Sequence, residues 1–419
     1  MIRSCGFKFP PYQLTLLTVL GCILCSSLTM GDDWPHWNGK NRDGISAEKG
    51  ILRSWPPEGL TAEWSCEIGT GFSSMAIVDG RVYAMGHLDG EEIVWCLNAS
   101  DGQVLWTHRY KSQLLPNLHE GGPCSTPTVD GDFVYTIGKE GQFYCLHKTD
   151  GTIQWHVELQ KELDVKVPEW GFSSSPLILN NQVLLEGGRI VSFNKRNGQK
   201  LWQSDRHAAG YGSVATFEYD GQILLASLDC DGLRVSSSET GEELAFAEWK
   251  SPYETNSTTP IIQGNQIFIS TGYDVGCGLF EFDGKSLKRI YSNKNMRNHF
   301  NNSVLLDGWI YGIDGNSHNG RNATLNCIQF STGELAWKQR GLGCGSLIAA
   351  DGKLIVLSEK GALVLAEQSE KGFTELARSE LLSGRCWTAP ALANGYLFAR
   401  NAGGTLKCVK LPGEQQSSD

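Results

Sequence analysis

The apolar and polar positions of this chain come in short bursts. Runs rich in β-branched and aromatic residues are cut by turn dipeptides, and the cycle repeats eight times. The turns are Asp79-Gly80, Asp130-Gly131, Asn180-Asn181, Asp220-Gly221, Gly264-Asn265, Asp307-Gly308, Asp351-Gly352 and Asn394-Gly395, at intervals of 51, 50, 40, 44, 43, 44 and 43 residues. A second turn follows in most units, and four times a Trp stands four residues past its Gly: Trp106, Trp155, Trp202 and Trp337. No helical stripe interrupts the pattern. Hairpin turns recurring at about 45 residues predict an all-β chain, an eight-bladed β-propeller of four-stranded blades.

Strands such as FVYTIG, ILLASL and LIVLS are apolar on both faces, as strands buried between neighbouring blades should be. The unit from Arg385 to Leu411 has three strands only, and Thr61–Ile68, with Trp64 imitating the blade Trp, predicts the missing fourth. The two chain ends then share one blade, which closes the ring and removes its free edges. The five Trp residues, Trp64, Trp106, Trp155, Trp202 and Trp337, are expected to pack against the neighbouring blade with each indole N–H on a carbonyl. Ala245, Lys288 and Leu376 hold the matching step in degenerate units. Domain organisation follows: 1–31 a signal peptide, 32–60 an irregular extension lying on the propeller, 61–411 the propeller, and 412–419 a disordered tail.

The signal reading comes from Arg3 and Lys8, an uncharged span from Phe9 to Met30, and the acidic start Asp32-Asp33. It places the mature protein in the periplasm or medium. An uncleaved membrane anchor is the competing reading, since the span nearly suffices to cross a bilayer. Without Arg3 and Lys8 the chain has 34 basic and 46 acidic residues, an acidic balance that speaks against nucleic acid or anionic lipid as partner. Ten cysteines remain outside the signal. Cys96, Cys145 and Cys327 each lie six residues before the Gly of the second turn, where Ser192 and Ala366 stand in other units. Such a position calls for a small buried side chain, and equivalent positions of separate blades are too far apart for a disulfide.

Motifs of chemistry are few. FDGKS lacks the first Gly of a phosphate loop. DGNSHNG, from Asp314 to Gly320, has Asn319 and Leu325 where a calcium loop needs Gly and Glu, and reads as a polar hairpin loop. No HExxH, GxSxG or paired Cys-x-x-Cys occurs. No catalytic or metal-ligating set is assigned. Ligand-binding candidates instead gather just before the innermost strands, with Arg109 at the start of the long loop to His119 and Tyr273 and Arg400 at the ends of second strands, because the axial mouth collects a loop from every blade. They are Arg109, His119, Glu120, Trp170, Tyr211, Asn256, Tyr273, His299, Arg385 and Arg400. Three arginines near one mouth favour a small anionic or carbonyl-bearing ligand, or an acidic peptide.

The second half of each unit resembles the pyrroloquinoline-quinone (PQQ)-type propeller repeat: a small residue, then Asp, then Thr-Gly and a later Trp. Here Asn98, His147, Asn194 and Gln329 replace that Asp. Residues 33–411 are similar to secreted propellers of planctomycete-type bacteria, through DWPHWNGKNRDG, EGGPCSTPTVDGDFVYTIGKEG, PEWGFSSSP, STTPIIQGNQIFISTGY and CWTAPALANGYLF. The resemblance implies two classes. One is the non-catalytic binding propeller, exemplified by the BamB-type lipoprotein that helps assemble outer-membrane β-barrels, with a protein or small-molecule partner and a monomeric chain. The other is the quinone- and calcium-dependent dehydrogenase, in which an Asp abstracts a proton. This sequence has no adjacent cysteine pair beside a quinone, and no carboxylate assignable as base or calcium ligand. A binding or scaffold propeller is the expectation, with PQQ and calcium as the alternative.

Overall fold

The structure is a computed structural model, and it describes Met1, residues 32–114 and residues 119–413. The signal segment and most of the C-terminal tail lie outside the described residues. Eight sheets of four strands succeed one another as blades 1 to 8: 76–111, 128–158, 177–203, 215–248, 261–293, 304–340, 346–380, and 391–410 completed by Ala62–Glu67. The chain is an eight-bladed β-propeller. Ala62–Glu67 pairs antiparallel with Thr405–Lys410, Trp64 opposite Cys408, so the two chain ends share the last blade, as the pattern predicted.

Most first turns have both central residues at positive φ, for example Asp79 at 51° and Gly80 at 70°, and Asp220 at 49° and Gly221 at 74°. That is the turn whose twist matches a tight hairpin. In blade 2 the turn is Gly131-Asp132, because Asp130 still pairs with Phe133. The expected turn was one residue early there. The connection after blade 2 opens with a one-turn helix, Leu159–Leu163, whose two leucines are buried. The DGNSHNG segment holds a 3-10 turn, Ser317–Asn322, where a plain hairpin loop was expected.

The link between Trp and glycine in the sequence has a packing cause. Trp64, Trp106, Trp155 and Trp202 each lie on the second-turn Gly of the next blade, whereas Gly372, after Trp337, has nothing within 4 Å. A Cβ on Gly102 would stand 2.7 Å from Trp64, one on Gly151 2.6 Å from Trp106, and one on Gly198 2.8 Å from Trp155. The indole N–H groups donate onward to Ala99, Lys148, Lys195 and Ser369 carbonyls from Trp64, Trp106, Trp155 and Trp337. Trp202 donates to the Gln182 side chain instead. In blade 5 the slot is filled by Tyr291, lying on Gly333 with its hydroxyl donating to the Phe330 carbonyl; counting four residues from the turn had pointed to Lys288.

Cys96, Cys145 and Cys327 are fully buried, and all ten described cysteines are free thiols. Burial pushes the Cys96 thiol up to about 11 and those of Cys145 and Cys327 to about 12.

Residues 34–46 of the extension run along the axis, whereas the following residues pass over blade 7, where Arg53 pairs with Glu367 and the Leu60 N–H donates to Ser379. Trp34 exchanges two hydrogen bonds with Ile77 in the first strand of blade 1, and the Pro35 carbonyl accepts from Val129 in blade 2. Arg42 donates to the Ser175 and Pro176 carbonyls of blade 3. Gly44 comes within 2.8 Å (Cβ position) of Val304 in blade 6. Ile45–Ser46 adds to blade 7 as a parallel strand beside Ala349 and Ala350. One short segment thus touches the first strands of five blades, which it can do only along their common axis.

Its sequence suits the path: Asn38 (φ 59°), Gly39 (φ 76°), Arg42 (φ 60°) and Gly44 (φ 79°) all take left-handed backbone. Asn and Gly tolerate that conformation best, and a Cβ on Gly39 would strike the Trp34 ring at 2.8 Å.

Candidate functional site

Where the chain enters each first strand, one position carries Ser74, Thr126, Ser175, Ser213, Thr259 and Asn302 in blades 1 to 6. The backbone N–H of each of the first five donates to the side-chain oxygen of the next, over 3.2, 2.9, 2.9, 3.0 and 3.0 Å. Ser74 also donates its hydroxyl to the Ala389 carbonyl of blade 8. Neutral hydrogen bonds of this kind contribute roughly 1 kcal/mol each, and here they hold blades 1 to 6 and blade 8 in one register round the axis.

Two residues earlier, on the same side of an extended backbone, stand Phe72, Cys124, Ser173, Tyr211, Ser257, Phe300, Cys344 and Trp387. All but Cys344 line a cavity of about 350 Å³ at the axial mouth. Trp37 and Asn38 of the N-terminal segment line it too, so the segment that fills the axis is the cavity's floor.

Above this register lies a chain of aromatic rings. Tyr273 meets His299 edge-on at 4.8 Å; His299 meets Phe300 at 5.1 Å; Phe300 meets Trp387 at 4.5 Å. Trp387 stacks on Phe72 at 5.5 Å, Phe72 meets His119 edge-on at 5.2 Å, and His119 meets Trp170 at 5.4 Å. His318, from the 3-10 turn, stacks on Tyr273 at 5.9 Å, and Asn316 of the same loop accepts from the Tyr273 N–H at 2.7 Å. The Trp387 indole donates to Glu359 at 3.3 Å. Lead-in segments of blades 1, 2, 3, 6 and 8 supply most of these rings.

Electrostatically the cup is quiet. Among the described residues, no Asp or Glu lines it, and Arg385 is its one Arg or Lys. Arg385 donates to Glu120 at 2.7 Å and lies 4.4 Å over the Trp387 ring. Burial, with Lys139 and Arg385 nearby, holds the His119 imidazole down to about 4. Burial and the neighbouring His318 do the same at His299, also to about 4. Both rings are neutral at pH 7, and each Nδ1 accepts a backbone N–H, from Gly121 and Ser317 respectively. Two lining residues carry buried polar atoms that no protein group satisfies, the indole nitrogen of Trp170 and the amide oxygen of Asn301.

Six of the ten residues read as candidates line this cavity: His119, Trp170, Tyr211, Tyr273, His299 and Arg385. Glu120 stands behind Arg385 as its ion-pair partner. The other three lie elsewhere. Arg109 sits on the outermost strand of blade 1, exposed, beside Glu91 and above Trp95. Asn256 is wholly buried, donating to the Asp229 and Trp249 carbonyls and accepting from Thr271. Arg400 is fully buried and donates to the carbonyls of Gly69, Ser73 and Met85, tying blade 8 to blade 1.

Phe72, Phe300, Trp387 and the floor pair were missed. Aligning the lead-ins on the position held by Ser74, Thr126, Ser175, Ser213, Thr259, Asn302, Ser346 and Ala389 finds the first three, each two residues before it, and excludes Asn256, which stands three before Thr259.

Residues 90–339, more than half of the chain, match the model of the family described as outer membrane protein assembly factor BamB. Among curated proteins, the outer membrane protein assembly factor BamB of Yersinia pestis is 31% identical over 106 residues, a match spanning 25% of this chain and 25% of that relative. Among solved structures, BamB from Moraxella catarrhalis aligns with a TM-score of 0.60 at 15% identity, over 84% of this chain and 97% of the other. A europium-containing methanol dehydrogenase aligns with a TM-score of 0.71 at 10% identity, over 91% and 98%. At such identities the structural likeness is one of fold.

Proposed function

This chain belongs to the family described as outer membrane protein assembly factor BamB, and on that premise we propose that it is a non-catalytic binding propeller that works outside the cytoplasm. Its ligand or partner group enters the aromatic cup at the axial mouth. The observation that carries the reading is the cup itself: lead-in residues of several blades, gathered round the axis, build an aromatic-lined cavity whose single arginine among the described residues is already paired. Sites of this kind bind by shape and a few placed polar groups. By analogy with the relative named as an outer membrane protein assembly factor, a protein partner in outer-membrane assembly fits the reading, as does a small ligand. The acidic balance of the chain and the signal-like first 31 residues support an extracytoplasmic monomer.

A second reading, a quinone- and calcium-dependent dehydrogenase, has in its favour the fold shared with a methanol dehydrogenase. The cavity's donors are hydroxyls, amides, imidazoles, a thiol and a guanidinium. Among the described residues that set holds no carboxylate, on which a calcium site is built, and it offers no Asp base. No catalytic step is derived through a quinone.

The deciding measurement is the visible absorption and metal content of protein purified from its own host. A colourless, calcium-free protein supports the binding reading; a stoichiometric quinone with calcium overturns it. Mass spectrometry of the same material should find a terminus near Asp32. An intact Met1 on a membrane-bound protein would refute the exported, cleaved form.

A further inference from the structure

We propose that the occupant of the cup is an uncharged saccharide: a polyhydroxylated ring stacked on the indole belt, resting on the floor made by Trp37 and Asn38. The inference rests on the reading of the axial mouth as the binding site, and names its ligand class.

Charge comes first. Reading three arginines at one mouth pointed to an anion, and the structure removes that argument. Arg109 is on the outer edge of blade 1, Arg400 is buried against carbonyls, and Arg385 is neutralised by Glu120 at 2.7 Å. A cationic guest has no carboxylate in the lining to meet and would face the Arg385 guanidinium. Neither sign of charge is recognised.

Surface chemistry comes second. Trp170, Trp387 and Trp37 bring three indoles to one cavity, joined by Phe72 and Phe300. Flat apolar faces of this kind suit the C–H face of a sugar ring. The same wall carries the hydroxyls of Ser173 and Ser257, which donate to the Tyr211 and Thr255 carbonyls and keep their oxygens as acceptors. A guest hydroxyl both donates and accepts, so a polyol can donate to those hydroxyl oxygens where a hydrocarbon cannot. Size agrees. About 350 Å³ lies at the small end of ligand cavities and admits one or two sugar rings.

The test uses the mature, full-length propeller. Intrinsic tryptophan fluorescence and titration calorimetry follow the addition of neutral tri- and tetrasaccharides built on glucose, mannose and N-acetylglucosamine. A galacturonate trisaccharide and a tetraglutamate peptide are titrated alongside. The expected result is saturable binding of at least one neutral saccharide, weakened tenfold or more by Trp387→Ala and by Trp170→Ala, with Trp37→Ala weakening it as well. Trp170 is only half-buried, so its variant remains informative if Trp387→Ala is poorly folded. Glu120→Gln, which frees Arg385, should raise the affinity for galacturonate relative to the neutral sugars.

If no neutral saccharide binds, the inference fails. Binding of galacturonate or peptide alone, lost in the Trp variants, overturns the saccharide and leaves the mouth as the site. Binding of any ligand that survives both Trp170→Ala and Trp387→Ala overturns the mouth itself.

Discussion

Gly151 of blade 2 lies flat beneath the indole of Trp106 of blade 1, where an added Cβ would stand 2.6 Å from the ring at φ +73°. The same pairing joins Gly198 to Trp155 and Gly102 to Trp64. Gly80, in a first turn, has a similar φ of +70° and nothing within 4 Å. Gly80→Ala should therefore cost about 1 kcal/mol, the backbone penalty alone. Gly151→Ala adds overpacking against a ring held on both sides and should cost roughly 2–4 kcal/mol. Denaturant unfolding of the two variants checks the difference; equal losses would mean the contact carries no weight.

Arg400 is the largest fully buried side chain described, and its bonds to Gly69, Ser73 and Met85 carbonyls cross the seam where the ring closes. Burial lowers its guanidinium to about 10, so it is charged at neutral pH without a carboxylate partner among its hydrogen bonds. Arg400→Met leaves those carbonyls unpaired, and a loss of roughly 3 kcal/mol or more is expected. Arg400→Lys should rescue little, since one ammonium cannot reproduce the fork. The measurement is the melting temperature of both variants.

Burial holds His299 at about 4 when folded, below the ordinary value of 6.5. Between those values the unfolded chain binds the proton and the folded chain does not, so this histidine's contribution to stability falls as pH drops from about 6.5 to about 4. Glu92 and Glu186, raised by burial, pull the opposite way. Unfolding profiles of wild type and His299→Asn at pH 7 and pH 4.5 isolate the effect. The variant should lose less stability on acidification, by on the order of 2 kcal/mol; parallel profiles would contradict it.

Deleting residues 60–70 removes the strand that pairs with Thr405–Lys410 and uncovers an edge in blade 8. Unpaired edges recruit other chains. The deleted protein should aggregate on size-exclusion chromatography although every other blade keeps its four strands, whereas a monomer with unchanged melting would show that closure matters little.

Turns and apolar runs made the fold legible because each blade is a local unit, and its hairpins are written in adjacent residues. The cup was legible only in part. Trp170, Tyr211 and His299 stood out by residue type, but type alone also selected Asn256 and Arg400, whose polar atoms are spent on carbonyls inside the protein. What separates Trp387 from those two is register, two residues before the ring position, and register shows only when all lead-ins are aligned. The path of residues 34–46 along the axis was not legible at all. Nothing local to DWPHWNGKNRDG says which distant strands it meets, although its Asn and Gly residues suit left-handed turns.

That segment offers the last prediction. Arg42 holds left-handed backbone at φ 60°, a conformation that costs a non-glycine residue roughly 1 kcal/mol or more. The cost is offset by its two bonds to blade 3, to Pro176 at 3.0 Å and Ser175 at 3.3 Å. The hold on blade 7 is separate, through Ile45–Ser46 beside Ala349 and Ala350. Arg42→Gly relieves the strain as it removes the side chain, while Arg42→Ala keeps the strain and loses the bonds. If the guanidinium is what seats the segment, both variants should become sensitive to protease between residues 36 and 44, Arg42→Ala more so, with the blades remaining resistant. Because Trp37 and Asn38 form the cavity floor, ligand binding at the mouth should weaken in step with cleavage. Protection of 36–44 in Arg42→Ala equal to wild type would show that the contacts of Trp34 and Pro35 with blades 1 and 2 and of Ile45–Ser46 with blade 7 seat the segment without it.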